Sequence, residues 1–215
     1  MYVPKPFEVT DFAEISRFVT SARAADLVTM RPDGLPVATL LPCIWKDLDI
    51  DSNSYGKLVM HMSKGNEQWK SIGIGSLGLA IVHGPQAYIS PSNYAGKNVD
   101  HKVVPTWNYQ SVHLSGTIET SEDTILLREI VDDLTRSHEE SRDVPWDISD
   151  ADPRYLETQL HGIVAVTLHI SRVEAKYKLS QNRSMIDQEN VKVDLLQSND
   201  DEARQIGRQM PWKNA

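Results

Sequence analysis

The segment from His161 to Ser180, HGIVAVTLHISRVEAKYKLS, constrains the fold more than any other stretch of the chain. Val164, Val166, Leu168 and Ile170 occupy every second position, a period of two that puts them on one face of an extended strand. The pattern predicts a long strand, bent or turned near Arg172 to Ala175 and continuing to Ser180. A strand of that length has to be paired over most of its backbone, and the rest of the sequence supplies partners. Leu27 to Pro42 reads as a β-hairpin, because DLVTM and LPVATLLP flank the turn Arg31-Pro32-Asp33-Gly34. KLVMHMS, LAIVHG, QAYIS and a run from Thr106 to about Thr120 read as further strands.

Helices are fewer and peripheral. Asp11 with Glu14 forms a capping-box signal, after which Phe12, Ile15, Phe18 and Val19 fall on one face of a short helix. Ile125, Leu127, Ile130, Val131 and Leu134 mark a second, opened by Thr120 or Ser121. Two short polar helical stretches follow, around Met185 to Leu196 and Asp200 to Met210. Consecutive strands are mostly hairpin-joined, and only Ser121 to Leu160 is a long excursion. The expectation is a mainly β fold with α, an antiparallel β-barrel with decorating helices. One domain spans 1–215, with a helical tail from about 184 to 215.

Gly73, Gly75 and Gly78 show the spacing of a dinucleotide-binding turn, G-x-G-x-x-G. That turn needs a strand before the glycines and a helix after them, so that a pyrophosphate rests on the helix N-terminus. Here the order is reversed: the polar KGNEQWKSI reads as a helical turn and the apolar LAIVHG as a strand. The acidic residue expected about twenty positions on is Asn93. The glycines are a helix-to-strand connection.

Charge and cysteine count remove further classes. Residues 1–107 carry 10 Lys and Arg against 10 Asp and Glu, and residues 108–215 carry 12 against 20, so the net charge of −8 comes entirely from the second half. An acidic half repels phosphate backbones, which disfavours DNA as a partner. The single Cys43 excludes an intrachain disulfide and any multi-cysteine zinc site, and reads as a buried, inert thiol. No apolar run approaches the roughly 20 residues that span a bilayer, and MYVPKPFEV lacks the pattern of a signal peptide, so no membrane association and a cytoplasmic location are expected. No H-E-x-x-H pair, G-x-S-x-G elbow or P-loop occurs. His161 and His169 share no useful direction for a metal, and Asp47, Asp49 and Asp51 lack the glycine and glutamate of a calcium loop. No metal site is expected.

Three segments stay polar or aromatic where a barrel would need only packing. In HMSKGNEQW, a hydroxyl at Ser63, an ammonium at Lys64 and the N–H groups of the following helical turn form a candidate phosphate seat. In the segment from Tyr88 to Gly116, Trp107 and Tyr109 alternate onto one face with area suited to a flat ring. In KYKLSQNRS, Lys178, Gln181, Asn182 and Arg183 crowd long polar side chains at a strand end. Singly each has a structural explanation as cap, core or surface charge; jointly they point to one flat, anionic ligand.

These segments carry a resemblance. MYVPKPFEVTD, DGLPVATLLP, H-x-S-K-x-N-x-Q-W, GPQAYISPSNY, VVPTWNYQSVH-x-x-G and KYKLSQNRS, in this order, resemble the PaiB-type FMN-binding negative transcriptional regulators from Met1 to beyond Ser184. The resemblance implies the FMN-binding split barrel, a Greek-key barrel shared with pyridoxamine-phosphate oxidases, and a homodimer with FMN in its interface. It implies Ala38, Thr39 and Leu40 beside the flavin, Ser63 and Lys64 at its phosphate, and His61 and Asn66 orienting that seat. Trp107, Asn108 and Tyr109 would approach from the partner chain or frame the ring, and Lys178 with the Gln181–Arg183 turn would close the pocket. Two positions depart from the family pattern: Lys64 stands where an arginine is usual, and Asn93 where a tryptophan is usual. The first loses a bidentate fork for phosphate. The alternatives to a regulator are an FMN-dependent oxidoreductase or a haem-degrading split-barrel protein, since a flavin brings its own chemistry.

Overall fold

The computed structural model describes residues 1–48, 55–98 and 101–211. Among them the strands are β1 (Glu8–Val9), β2 (Ala24–Met30), β3 (Pro36–Lys46), β4 (Lys57–Ser63), β5 (Leu77–Ile89), β6 (Thr106–Ser121) and β7 (Ile163–Lys178). The α-helices are α1 (Phe12–Ala22), α2 (Thr124–Glu139), α3 (Pro153–His161), α4 (Met185–Leu196) and α5 (Asp201–Gln209). Asp49 and Asp51 of the aspartate cluster lie outside the described residues. Among those described, no group of three or more metal-ligating side chains comes together. The sheet order is β1-β7-β4-β3-β2-β5-β6 with β6 also paired to β7, and every pairing whose register is known is antiparallel.

The backbone divides into two compact units built from interleaved segments: Phe12–Val82 with His113–Val173, and Met1–Asp11 with His83–Val112 and Glu174–Ala215. The long strands β5, β6 and β7 each contribute one part to each unit.

The first unit holds the closed barrel. The hairpin β2–β3 pairs Leu27 with Thr39 and Val28 with Ala38 about the Pro-Asp-Gly turn. In that turn Gly34 takes φ +82°, a conformation glycine adopts without steric cost. Leu27, Leu41, Leu58, Met60, Met62, Val82, Leu114, Val164, Val166 and Leu168 are buried, as the alternation on each strand requires. Gly116 marks where β6 crosses β7, because a Cβ there would sit 1.8 Å from the carbonyl oxygen of His169. Outside the barrel, Leu127, Ile130 and Leu134 of α2 and Leu156 and Leu160 of α3 pack with Val59 and Ala165, so the excursion between β6 and β7 is a lid of helices over one wall.

Three sequence expectations need correction. Helix α2 is capped by Asp123, whose carboxylate accepts from the Ile125 N–H at 2.9 Å; Thr120 and Ser121 belong to the end of β6. LAIVHG and QAYIS are one continuous strand, because Gly84 and Pro85 between them remain extended. No turn interrupts β7 near Arg172 to Ala175 either: the strand runs unbroken from Ile163 and ends at Lys178, two residues before Ser180.

The second unit gathers β1, paired to β7 through Glu8↔Lys176 and Val9↔Ala175, with α4 and α5. Phe7, Ile89, Tyr94, Tyr177, Val191, Leu195, Ile206 and Met210 are buried in this unit. Buried Lys192 donates its ammonium to the Met210 carbonyl at the end of α5.

Candidate functional site

Candidate residues in the barrel unit cluster at one end of β3 and β4. Strand β4 buries Met60 and Met62 inward, so His61 and Ser63 face outward. Val59, two residues earlier on that outer face, is covered by α2 and α3, and the helical cover thins toward Ser63, which is exposed. On β3, Ala38 and Leu40 are exposed, Leu40 at 65%. Thr39 points to the opposite face of the same strand, where its hydroxyl donates to Gln68 Oε1 at 2.6 Å and accepts from Asn66 Nδ2 at 2.9 Å.

Gln68 is the hub of this network. It is 4% exposed, and its amide nitrogen donates to the Leu27 carbonyl at 2.9 Å and the Thr29 hydroxyl at 3.1 Å. Asn66 caps the short helical turn Glu67–Ser71 by accepting from the Gln68 N–H at 3.0 Å. The helical amide proposed for a phosphate is therefore taken by the chain's own cap. Ser63 Oγ accepts from the Gly65 N–H at 3.1 Å, and Trp69 Nε1 donates to the Lys64 carbonyl at 3.1 Å, so the KGNEQW turn is stapled to itself.

Two features of this end are not explained by self-stapling. His61 Nδ1 is buried with no hydrogen-bond partner, and burial holds its pKa below the usual histidine value, which favours the neutral ring. Lys64 projects its ammonium to Glu122 Oε2 at 2.5 Å, and both side chains remain partly exposed. Glu122 was not singled out by the sequence; it comes to Lys64 only through the tertiary pairing of β4 and β6 with β7.

Candidates in the second unit form a different arrangement. Trp107 is about half exposed, donates Nε1 to Gln86 Oε1 at 3.0 Å and meets Tyr88 edge-on at 6.4 Å between ring centres. Asn108 is fully buried and donates to the Ser180 hydroxyl at 2.9 Å, so its amide fixes a turn and does not face a ligand. Ser180 has φ +65°, a backbone conformation uncommon outside glycine. Gln181 closes the same turn, accepting from the Leu179 N–H at 2.6 Å and donating to the Tyr177 carbonyl at 2.5 Å. Asn182 stays exposed at its tip.

Cations crowd this turn. Lys178 donates to the Thr106 hydroxyl at 2.5 Å and the Trp107 carbonyl at 2.9 Å, Lys176 lies 5.2 Å from the Tyr109 ring centre, and the Arg183 guanidinium lies 4.4 Å from that of Tyr94. None of the three forms an ion pair among the described residues. Burial, and then the charges of Lys176 and Arg183, push the Lys178 pKa below the usual lysine value.

The closed antiparallel barrel with its added helices has the fold of the flavin-binding split barrels. It matches the FAD and haem binding protein of Mycobacterium smegmatis with a TM-score of 0.56 at 20% identity, over 80% of this chain and 73% of that one. A conserved hypothetical protein of Mycobacterium tuberculosis also gives 0.56, at 15% identity over 86% and 94% of the two chains. At these identities the likeness is one of fold. Residues 1–172 match the family described as "Putative FMN-binding domain". The chain is 36% identical over 215 residues, 99% of its length and 98% of the relative's, to the protease synthase and sporulation protein PAI 2 of Bacillus subtilis. The chain belongs to this PaiB-type FMN-binding family.

Proposed function

We propose that the chain itself binds FMN, with the phosphate at Ser63 and Lys64 and one edge of the flavin against the outer face of β3. The observation that carries this reading is the pairing of bare apolar surface at Ala38 and Leu40 with an orphaned imidazole nitrogen at His61, next to a hydroxyl and an ammonium. A buried polar atom without a partner costs stability, and folding alone gives no reason to keep one beside an exposed leucine. The donor set fits the group: Ser63 and Lys64 are suited to a phosphate, and Ala38 and Leu40 to an aromatic ring system. When bound, FMN supplies redox chemistry that no side chain carries.

The regulatory part of the reading is carried over from the PaiB-type relative, and the protein acts as a cytoplasmic homodimer in which a second copy covers the flavin. Two-fold pairing is the commonest closed assembly, and an exposed Leu40 face would be buried by it. Among the described residues no helix is long and apolar enough to cross a membrane. The chain's −8 charge works against contact with duplex DNA. The test is the absorption spectrum of purified protein with FMN added, together with light scattering of the loaded sample. A perturbed flavin band in a dimer supports the reading; an unperturbed band, or a loaded monomer, overturns it.

A further inference from the structure

A cleft on the barrel unit is lined by none of the flavin candidates. It encloses about 690 Å³ between the C-terminal half of α1, strand β3 and the end of α2, and Arg17, Thr20, Arg23, Trp45, Ser137 and Glu140 line it. Arg17 and Arg23 form no ion pair among the described residues. Arg23 instead meets His138 Nδ1 at 3.5 Å. Arg136, Arg142 and Arg204 by contrast each pair with a carboxylate. Arg31, Arg154 and Arg208 likewise form no ion pair among the described residues; what sets Arg17 and Arg23 apart is that both line one cleft.

The backbone gives an independent reason to look at Arg23. It follows α1 with φ +60°, and its N–H donates to the Val19 carbonyl at 3.2 Å, so it occupies the left-handed position at which helices most often end on glycine. An arginine here bears backbone strain that glycine would not, and the guanidinium it delivers faces the cleft.

We propose that this cleft binds a small ligand with a single oxyanion, a carboxylate or a phosphate monoester in its monoanionic form, with Arg17 and Arg23 as anchors. Thr20 is placed to offer a hydroxyl donor, and Glu140 turns away polyanions while accepting from a hydroxyl or amine on the ligand. Cys43 also lines the cleft, but burial pushes its thiol up to about 12, so the site binds and does not react through sulfur.

The experiment is an NMR titration of the arginine Nε–H resonances of the full chain with glycolate, inorganic phosphate and chloride at constant ionic strength. Saturable shifts from glycolate or phosphate, with chloride inert, are expected, and which of the two saturates first assigns the headgroup. Arg23→Gly should weaken that binding about tenfold or more while holding or raising Tm, because glycine relieves the strained position. Arg17→Gln should weaken it similarly. Both variants should leave FMN affinity unchanged, so failure here is distinguishable from failure of the flavin reading. Shifts from glycolate and phosphate no larger than those from chloride, or binding unchanged in both variants, would overturn the proposal.

Discussion

The two sets of candidate flavin residues are held by opposite kinds of force. At the barrel end, Thr39, Asn66 and Gln68 are neutral groups joined to one another and to the β2–β3 hairpin by hydrogen bonds of 2.6 to 3.1 Å. At the end of β7, Lys176, Lys178 and Arg183 are like charges brought together over aromatic rings and a hydroxyl, none of them in an ion pair among the described residues. The first arrangement is satisfied and rigid without a ligand. The second stores repulsion that an anion would relieve. A neutral network fixes shape, and an unbalanced cationic one leaves binding energy in reserve.

The largest expected effect breaks the neutral network. Gln68→Leu removes donors from the buried Leu27 carbonyl and Thr29 hydroxyl and the acceptor for Thr39, and should destabilise the protein by about 2–4 kcal/mol, read as a lower midpoint in urea. Gln181→Leu, in the charged cluster, cuts two half-exposed bonds to a turn and should cost about 1–2 kcal/mol. Equal losses would erase the distinction between the two ends.

The next effects fall on Lys64 and its carboxylate. The phosphate of FMN has to compete with Glu122, which already holds the ammonium at 2.5 Å. Lys64→Ala should weaken FMN binding by about tenfold, the low end of what a charge-assisted bond contributes, because part of the interaction is spent on Glu122. Glu122→Gln should strengthen FMN binding several-fold and leave riboflavin unaffected. A Glu122→Gln variant that binds FMN more weakly would show that the carboxylate orients Lys64 instead of competing for it.

The smallest effect is a pH dependence. Lys178 has a folded pKa below its unfolded value, so between the two the unfolded chain binds more protons, and stability rises with pH through that window. Its penalty is fully present at neutral pH and disappears as the pH climbs past the ordinary lysine value near 10.4. Relative to Lys178→Gln, the wild type should therefore gain stability on the alkaline side, followed by chemical denaturation at stepped pH. A bound anion should reverse the shift.

Local signals were legible and tertiary ones were not. Arg31-Pro32-Asp33-Gly34 identified its hairpin because turn chemistry is written in adjacent residues, and the helix-to-strand order read around Gly73 is the order in the structure. The cap of α2 was misplaced because Thr120, Ser121 and Asp123 all suit the role, and only the extent of β6 decides among them. Helix α3 went unread although Asp152 and Pro153 are a good N-cap and first-turn pair, since its apolar face is short. Gln68 stood inside a quoted motif, yet its role as hub depends on Leu27, Thr29 and Thr39 being folded around it. Glu122, Arg17 and Arg23 carry no local signal at all; their partners or cleft exist only once the strands have paired.

The central claim is that the Ser63–Lys64 end recognises the phosphate of FMN, and paired fluorescence-quenching titrations with FMN and riboflavin test it most directly. The account predicts FMN binding at least about tenfold tighter than riboflavin in the wild type, with the gap closing in Lys64→Ala while riboflavin affinity stays the same. Equal affinity of the wild type for the two flavins, or a gap that survives loss of the ammonium, would contradict it.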